Sequence, residues 1–188
     1  RVRQGLVGLV TPAHAQGEGS AEALVRPAEL LGMMNLLGTP QAVVVRAVTD
    51  AVIEELQPPL HDPVALLGAA YAQARRQHRQ LRQLQKGPVA DRVRELLLLL
   101  TGQDSDQNDT LAIHLPSLAV MAWCIDSTEE SVCRVLARLR DLRVLEAAAF
   151  QGGQRIVQDL RSVKPPPGMT NSSRAVVRAF AGSHCTAS

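Results

Sequence analysis

The chain has 188 residues, 46% hydrophobic and only 2% aromatic, with a formal net charge of +2. This gives room for one large domain or two small ones around an aliphatic core, and too little net charge for a broad positive field to drive binding to nucleic acid. Cys124, Cys133 and Cys185 form no CxxC pair and no even framework, which argues against a disulfide scaffold and for a reducing compartment. The apolar run Leu96 to Leu100 is far too short to span a bilayer. No signal peptide is visible, so the expectation is a cytoplasmic protein with no membrane partner. The chain opens at Arg1 rather than Met, directly in a strand-like run, so further N-terminal residues are expected before it.

Residues 1–57 read as β-rich. Val2, Leu6, Val7, Leu9 and Val10 form an apolar run around Gly5 and Gly8. A polar segment from Gln16 to Ser20 separates it from Ala23-Leu24-Val25. Gly38-Thr39-Pro40 marks a turn, and the runs Val43 to Val48 and Ala51 to Ile53 are strand-forming.

Pro58-Pro59 and Asp62-Pro63 then break the chain. A long helix follows from about Pro63 to Gln85, with proline suited to its first turn. Val64, Leu67, Tyr71, Ala74, His78, Leu81 and Gln85 recur by threes and fours. This is a heptad-like seam, open to packing within the chain or against a second copy. Gly87-Pro88 ends the helix, and Val89, Val93, Leu96, Leu97 and Leu100 mark the next. Residues 102–110 are a polar, acidic loop.

From Leu115 to Ile125 the sequence is apolar at helical pitch, with Ser117 as candidate cap. Asp126-Ser127 is a turn, and Ser127 or Thr128 caps a further helix, with Glu130 or Ser131 closing a box-like arrangement. Val132, Val135, Leu136 and Leu139 are its inward face. Glu130 and Arg134 stand four residues apart and share an outward face. On such a face a carboxylate can accept from cytosine N4, and a guanidinium can pair with guanine O6 and N7. Leu145 to Phe150, Gly152-Gly153 and Arg155-Ile156-Val157 read as a β-hairpin. Lys164-Pro165-Pro166-Pro167-Gly168 leaves the fold, and a tail follows.

Charge is unevenly spread. From Arg75 to Lys86 five of twelve residues are basic and none is acidic, while Asp104 to Glu130 carries only acids. The five histidines show no ligand spacing. There is no Ser-His-Asp set, phosphate loop or paired-carboxylate cleft, so neither an enzyme nor a bound metal or cofactor is expected. Cys124, Cys133 and Trp123 read as packing residues.

The segment Thr128-Glu129-Glu130-Ser131-Val132-Cys133-Arg134-Val135-Leu136 resembles the recognition helix of the CRP/FNR family of bacterial transcription regulators. Arg138-Leu139 continues the likeness, and Asp141 to Glu146 resembles the run into the wing. Gly5 to Val10, Arg26 to Gly32 and Val45 to Asp50 are similar to later strands of the family's cyclic-nucleotide-binding-type β-roll. The resemblance covers most of residues 1–162.

It implies an α+β chain with four parts. These are a degenerate β-roll over 1–62, a dimerisation helix over 63–87, a winged helix-turn-helix over 88–164 and a tail over 165–188. It implies a homodimeric regulator, an activator by family likeness, that binds palindromic double-stranded DNA and contacts RNA polymerase. The DNA contacts it implies are Ser117, Ser127, Thr128, Glu129, Glu130, Ser131, Arg134, Arg138, Gly153 and Arg155. Two departures stand out. The family's turn glycine is Asp126, and the usual first arginine of the recognition helix is Glu129. The ribose-binding Gly-Glu reads Gly32-Met33 and the phosphate-binding Arg-Ser reads Gln41-Ala42, so no cyclic nucleotide is expected to bind in the standard mode and the effector is unknown. The alternative is a module that senses an effector or binds protein without binding DNA.

Overall fold

The computed structural model describes residues 1–11, 19–32, 42–56, 62–101, 111–147 and 153–156. Five short strands open the chain: β1 (Val2–Gln4), β2 (Val7–Val10), β3 (Ala23–Val25), β4 (Val44–Ala47) and β5 (Val52–Ile53). They form two antiparallel units, a pair β1-β5 and a three-stranded sheet in the order β3-β2-β4. Val7, Val10, Leu24 and Val25 are buried, while the four residues of β4 are exposed. The Gly38-Thr39-Pro40 turn lies outside the described residues, as does the tail.

Gly5 is required where β1 gives way to β2. Its φ is +79°, and a Cβ there would lie 2.0 Å from the carbonyl oxygen of Asp50, so an L side chain meets both strain and a collision. The same crossing is tied by the Leu6 N–H to Thr49 Oγ1 at 2.9 Å.

Helix α1 runs Pro63–Gln85, with the bounds read from the sequence. Asp62 caps it, its carboxylate accepting from the N–H groups of Val64 and Ala65, and Pro63 sits where a missing N–H costs nothing. One face lies on the strands. Gln73 exchanges two hydrogen bonds with the backbone of Leu30, at 3.0 and 2.7 Å. The buried carboxylate of Glu29 accepts from the Arg26 N–H and lies 3.6 Å from the Arg76 guanidinium. The opposite face is open: Val64, Leu67 and Tyr71 are 79%, 52% and 65% exposed. The far end of the expected seam differs. Gln85 turns inward and donates to the carbonyl of Ala21 at 2.8 Å, so the exposed seam ends before it.

Helix α2 (Val89–Leu100) has no side-chain cap. Burial holds it instead: Val93, Leu96 and Leu97 are inaccessible to solvent, and each such side chain contributes roughly 1.5–3 kcal/mol. They join Leu84 of α1, Met121 and Ile125 of α3 (Leu118–Ile125), Val132 and Leu136 of α4 (Glu129–Asp141), and Leu6, Leu24 and Val48 from the strand region. One apolar cluster thus runs from the strands into the C-terminal helices. A smaller one, Val2, Val7 and Val25, lies within the strands.

The sequence reading missed strand β6 (Leu111–His114) and began the following helix too early. Pro116 biases Leu115 towards extended backbone, and Ser117 caps the helix at Leu118. β6 joins β7 (Leu145–Ala147) and β8 (Gly153–Ile156) in an antiparallel sheet of order β6-β8-β7. The turn between β7 and β8 lies outside the described residues.

Candidate nucleic-acid interface

Two capped helices and a tight turn build the site. Ser117 Oγ accepts from the Val120 N–H at 3.3 Å at the start of α3. At its end Asp126 takes the left-handed conformation, φ 52° and ψ 60°, which aspartate tolerates better than most residues. The N–H groups of Asp126 and Ser127 both donate to the Ala122 carbonyl. Thr128 then caps α4: its Oγ1 accepts from the Ser131 N–H at 3.3 Å and donates to Ser131 Oγ at 2.9 Å. Of the two candidate caps, Thr128 is the one used. Ser127 Oγ is buried and has no hydrogen-bond partner, and its N–H is the one already given to the Ala122 carbonyl.

Arg92 of α2 holds the turn from behind. Only 4% exposed, it donates one guanidinium nitrogen to the carbonyls of Ile125 at 2.8 Å and Asp126 at 2.9 Å. A cation at the C-terminal carbonyls of α3 complements the negative end of that helix. Burial pushes the pKa of Arg92 down and the Asp126 carboxylate pulls it back up. Little in the local sequence marks this role, because Arg92 stands among the charged residues Asp91, Arg94 and Glu95.

Helix α4 is sharply two-sided. Val132, Val135, Leu136 and Leu139 are buried as expected, while Glu129, Glu130, Cys133, Arg134, Ala137, Arg138 and Asp141 are exposed. Glu130 and Arg134 form an ion pair with side chains 74% and 65% exposed. A pair this exposed is worth at most about 1 kcal/mol, so either member can turn to another partner at little cost. Glu129 and Glu130 lie at the positive end of the helix and Arg138 and Arg140 at the negative end, both favourable placements.

Cys133 is not a packing residue: it is exposed on the same stripe as Glu130 and Arg134. The signal was available, because position 133 falls outside the 132/135/136/139 apolar period. Cys124 is buried, as expected, and burial pushes its thiol up to about 12 against a smaller opposing pull from Arg46.

Of the residues singled out in the sequence, the structure brings Thr128, Glu129, Glu130, Ser131, Arg134 and Arg138 together on or at the start of α4. Ser117 stands one helix away, at the start of α3. Gly153 and Arg155 lie on the central strand β8, at register positions opposite His114 and between Ala112 and Glu146. The substitutions Met33 and Gln41 of the expected nucleotide pocket lie outside the described residues. No group of three or more His, Cys, Asp or Glu able to hold a metal occurs among the described residues, and none of their helices is long and apolar enough to cross a membrane.

No protein-family model matches the chain, and no curated protein sequence is similar to it. Solved structures are. A CRP/FNR-family transcriptional regulator from Thermus thermophilus is 24% identical, covering 86% of this chain and 82% of its own, with TM-score 0.61. A CRP-family regulator from the same organism is 26% identical over 86% and 83%, with TM-score 0.62.

The chain has the fold of the CRP/FNR transcription regulators.

FixK2 from Bradyrhizobium japonicum shares it at 17% identity, covering 86% of this chain and 82% of that one, with TM-score 0.61. The family expected from the motif at Thr128 to Leu136 is therefore the one whose solved members share this architecture. Within that CRP/FNR frame α3, the Asp126 turn and α4 form the helix-turn-helix, and α1 is the long helix between it and the strands.

Proposed function

We propose that this chain is a sequence-specific DNA-binding transcription regulator acting as a homodimer. The observation that carries the reading is the exposed stripe Glu130, Arg134 and Arg138 on α4, over a fully buried opposite face and behind a turn fixed by Asp126 and Arg92. Set into the major groove, Arg134 pairs with guanine O6 and N7, and Glu130 accepts from cytosine N4. Cys133 and Ala137 between them are small enough to let the helix approach closely. Arg138, Thr128, Ser131 and the helix N-terminus serve phosphates, with Ser117 from α3 and Gly153 and Arg155 from the winged sheet. Glu129 differs from the usual arginine and favours a variant half-site.

The open face of α1 supports self-association. Pairing two copies along Val64, Leu67 and Tyr71 buries three side chains that are each more than half exposed and relates two α4 helices by a two-fold axis. The operator is then palindromic, with half-sites about one helical turn apart. Transcription is activated through contact with RNA polymerase, in the cytoplasm and without cyclic nucleotide. Calorimetry with cyclic AMP is expected to show no heat, and saturable micromolar binding contradicts that part.

Selection from randomised duplexes tests the whole reading. Enrichment of a palindrome with G·C pairs near the Glu130 and Arg134 positions is expected. An unenriched pool after repeated rounds contradicts DNA recognition and favours a module acting through protein contacts.

A further inference from the structure

Trp123, the only tryptophan in the chain, does more than fill space beside α4. Its ring reaches across to the strand sheet and lies over Gly8, the middle of β2. A Cβ built on Gly8 would be 2.4 Å from Trp123 Cη2 and 2.5 Å from Cζ3, so only glycine leaves room for the ring. Gly8 is paired on one side with Arg46 of β4 and on the other with Leu24 of β3. The Arg46 guanidinium stands 5.0 Å from the ring centroid, within cation–π range. Leu24 Cδ2 lies 3.4 Å from the same built Cβ, so it borders the slot on its other side. The backbone joins in: the Ala21 N–H donates to the Trp123 carbonyl at 3.2 Å. The Ala21 carbonyl in turn accepts from Gln85, the last residue of α1.

We infer that the slot formed by Gly8, Arg46 and Leu24 is a lock, and that Trp123 is a positioning residue which fixes the helix-turn-helix on the strand sheet. Trp123 touches no DNA; it acts through α3 on where α4 stands. The stripe on α4 is exposed in the locked arrangement, so the lock holds the unit in a form that leaves the stripe free to bind. In a two-fold dimer its consequence is specific: with Trp123 seated, the separation of the two α4 helices is set, and so is the half-site spacing that both can engage at once. With Trp123 released, one α4 still reads one half-site, but the pair loses its ruler. Arg46 is the adjustable part, being an exposed cation on an exposed strand, so a charge change there alters the seat without disturbing the core.

This inference rests on the proposed DNA reading, and the test separates the two. The full chain is studied as wild type, Gly8→Ser, Arg46→Ala and Arg46→Lys, with the single tryptophan as reporter. In the wild type emission is blue-shifted and weakly quenched by acrylamide. Gly8→Ser shifts it to the red and raises quenching. Arg46→Ala raises quenching less and Arg46→Lys restores it, while far-UV circular dichroism stays unchanged. Each protein is then titrated with duplexes carrying the selected half-sites at the enriched spacing, at that spacing lengthened by about two base pairs, and as a single half-site. Gly8→Ser keeps single half-site affinity and loses most of the preference between the two spacings. Arg46→Ala weakens that preference about two- to fivefold, the range of a surface cation–π contact, and Arg46→Lys does so less.

Unchanged emission and quenching in both Gly8→Ser and Arg46→Ala overturns the seat, with no DNA needed. A released tryptophan with unchanged spacing preference, or an equal loss on single and paired half-sites, overturns the positioning role. A failure of the DNA reading shows separately, as wild type that binds no duplex selectively. Arg46→Ala carries the test if Gly8→Ser does not fold, since Arg46 is exposed.

Discussion

Arg92→Met removes the strut behind the helix-turn-helix and is expected to weaken the fold substantially. Methionine replaces the apolar stem of Arg92 and ends at about the position of its Nε, so the change deletes the guanidinium with its two hydrogen bonds to the Ile125 and Asp126 carbonyls at 2.8 and 2.9 Å. Those carbonyls belong to the backbone and stay behind without their donor. A buried acceptor left unsatisfied costs about 1–3 kcal/mol, and bonds from charged donors lie at the upper end. The relief of no longer burying a guanidinium offsets part of this. The expected net loss is about 2–4 kcal/mol, a large share of the roughly 5–15 kcal/mol that stabilises a domain. In urea, at a slope of about 1–3 kcal/mol per molar, the midpoint falls by about 1–2 M. Arg92→Lys keeps a cation with a reach to one carbonyl and recovers about half of that loss. Circular dichroism melts in urea read both variants. A midpoint for Arg92→Met within error of wild type at unchanged slope refutes the strut and the left-handed turn it is said to hold.

Other consequences follow from the same geometry. Leu67→Glu, on the open face of α1, is expected to convert a dimer to a monomer in analytical ultracentrifugation; an unchanged dimer places the interface elsewhere. Wild-type association should tighten about tenfold between low salt and about 0.3 M salt. Arg75, Arg79, Arg82 and Lys86 line one groove on α1, and like charges about 8 Å apart in water repel by about 0.5 kcal/mol each until salt screens them. Salt-independent association refutes that repulsion. In a Cys185→Ser background, a bulky maleimide at neutral pH should label exposed Cys133, spare Cys124 and abolish DNA binding, whereas Cys133→Ser should bind; intact binding after labelling removes the outward face of α4 from the interface. The buried Cys124 thiol stays neutral up to about 12, whereas the unfolded thiol ionises near 9. The unfolded chain therefore binds fewer protons between those values, and stability falls as pH rises through that window by up to about 1.4 kcal/mol per pH unit. Denaturation series at rising pH should show this slope and lose it in Cys124→Ala; an equal slope in both assigns the loss to other groups.

The locally encoded parts of this fold were legible in the sequence. Asp62-Pro63 and Gly87-Pro88 punctuate α1 so clearly that both of its ends could be read, and Ser117, Thr128 and the 132/135/136/139 period place helices α3 and α4. Asp126 was identifiable as a turn residue because few others accept left-handed backbone. β6 is hard to read because a four-residue strand has little periodicity of its own, and Leu115 beside it extends the apolar run of α3 backwards across Pro116 and Ser117. Arg92 and Gly8 were not legible as positioning elements. Their partners lie more than thirty and more than a hundred residues away, and no local pattern marks a charge that will be buried or a glycine that will receive a ring. Cys133 was legible and misread, since a small sulfur residue near a core invites a packing role.

The proposed base reading by α4 rests on Glu130 and Arg134. Its most direct test compares wild type with Arg134→Ala on the selected duplex and on every single-base-pair variant of it, at one fixed salt concentration. Base reading predicts a loss of about 1–3 kcal/mol on the selected site and a collapse of discrimination at one base pair of each half-site, with the other positions still distinguished. An equal loss on every duplex, with all discrimination kept, would contradict it and make Arg134 a phosphate contact.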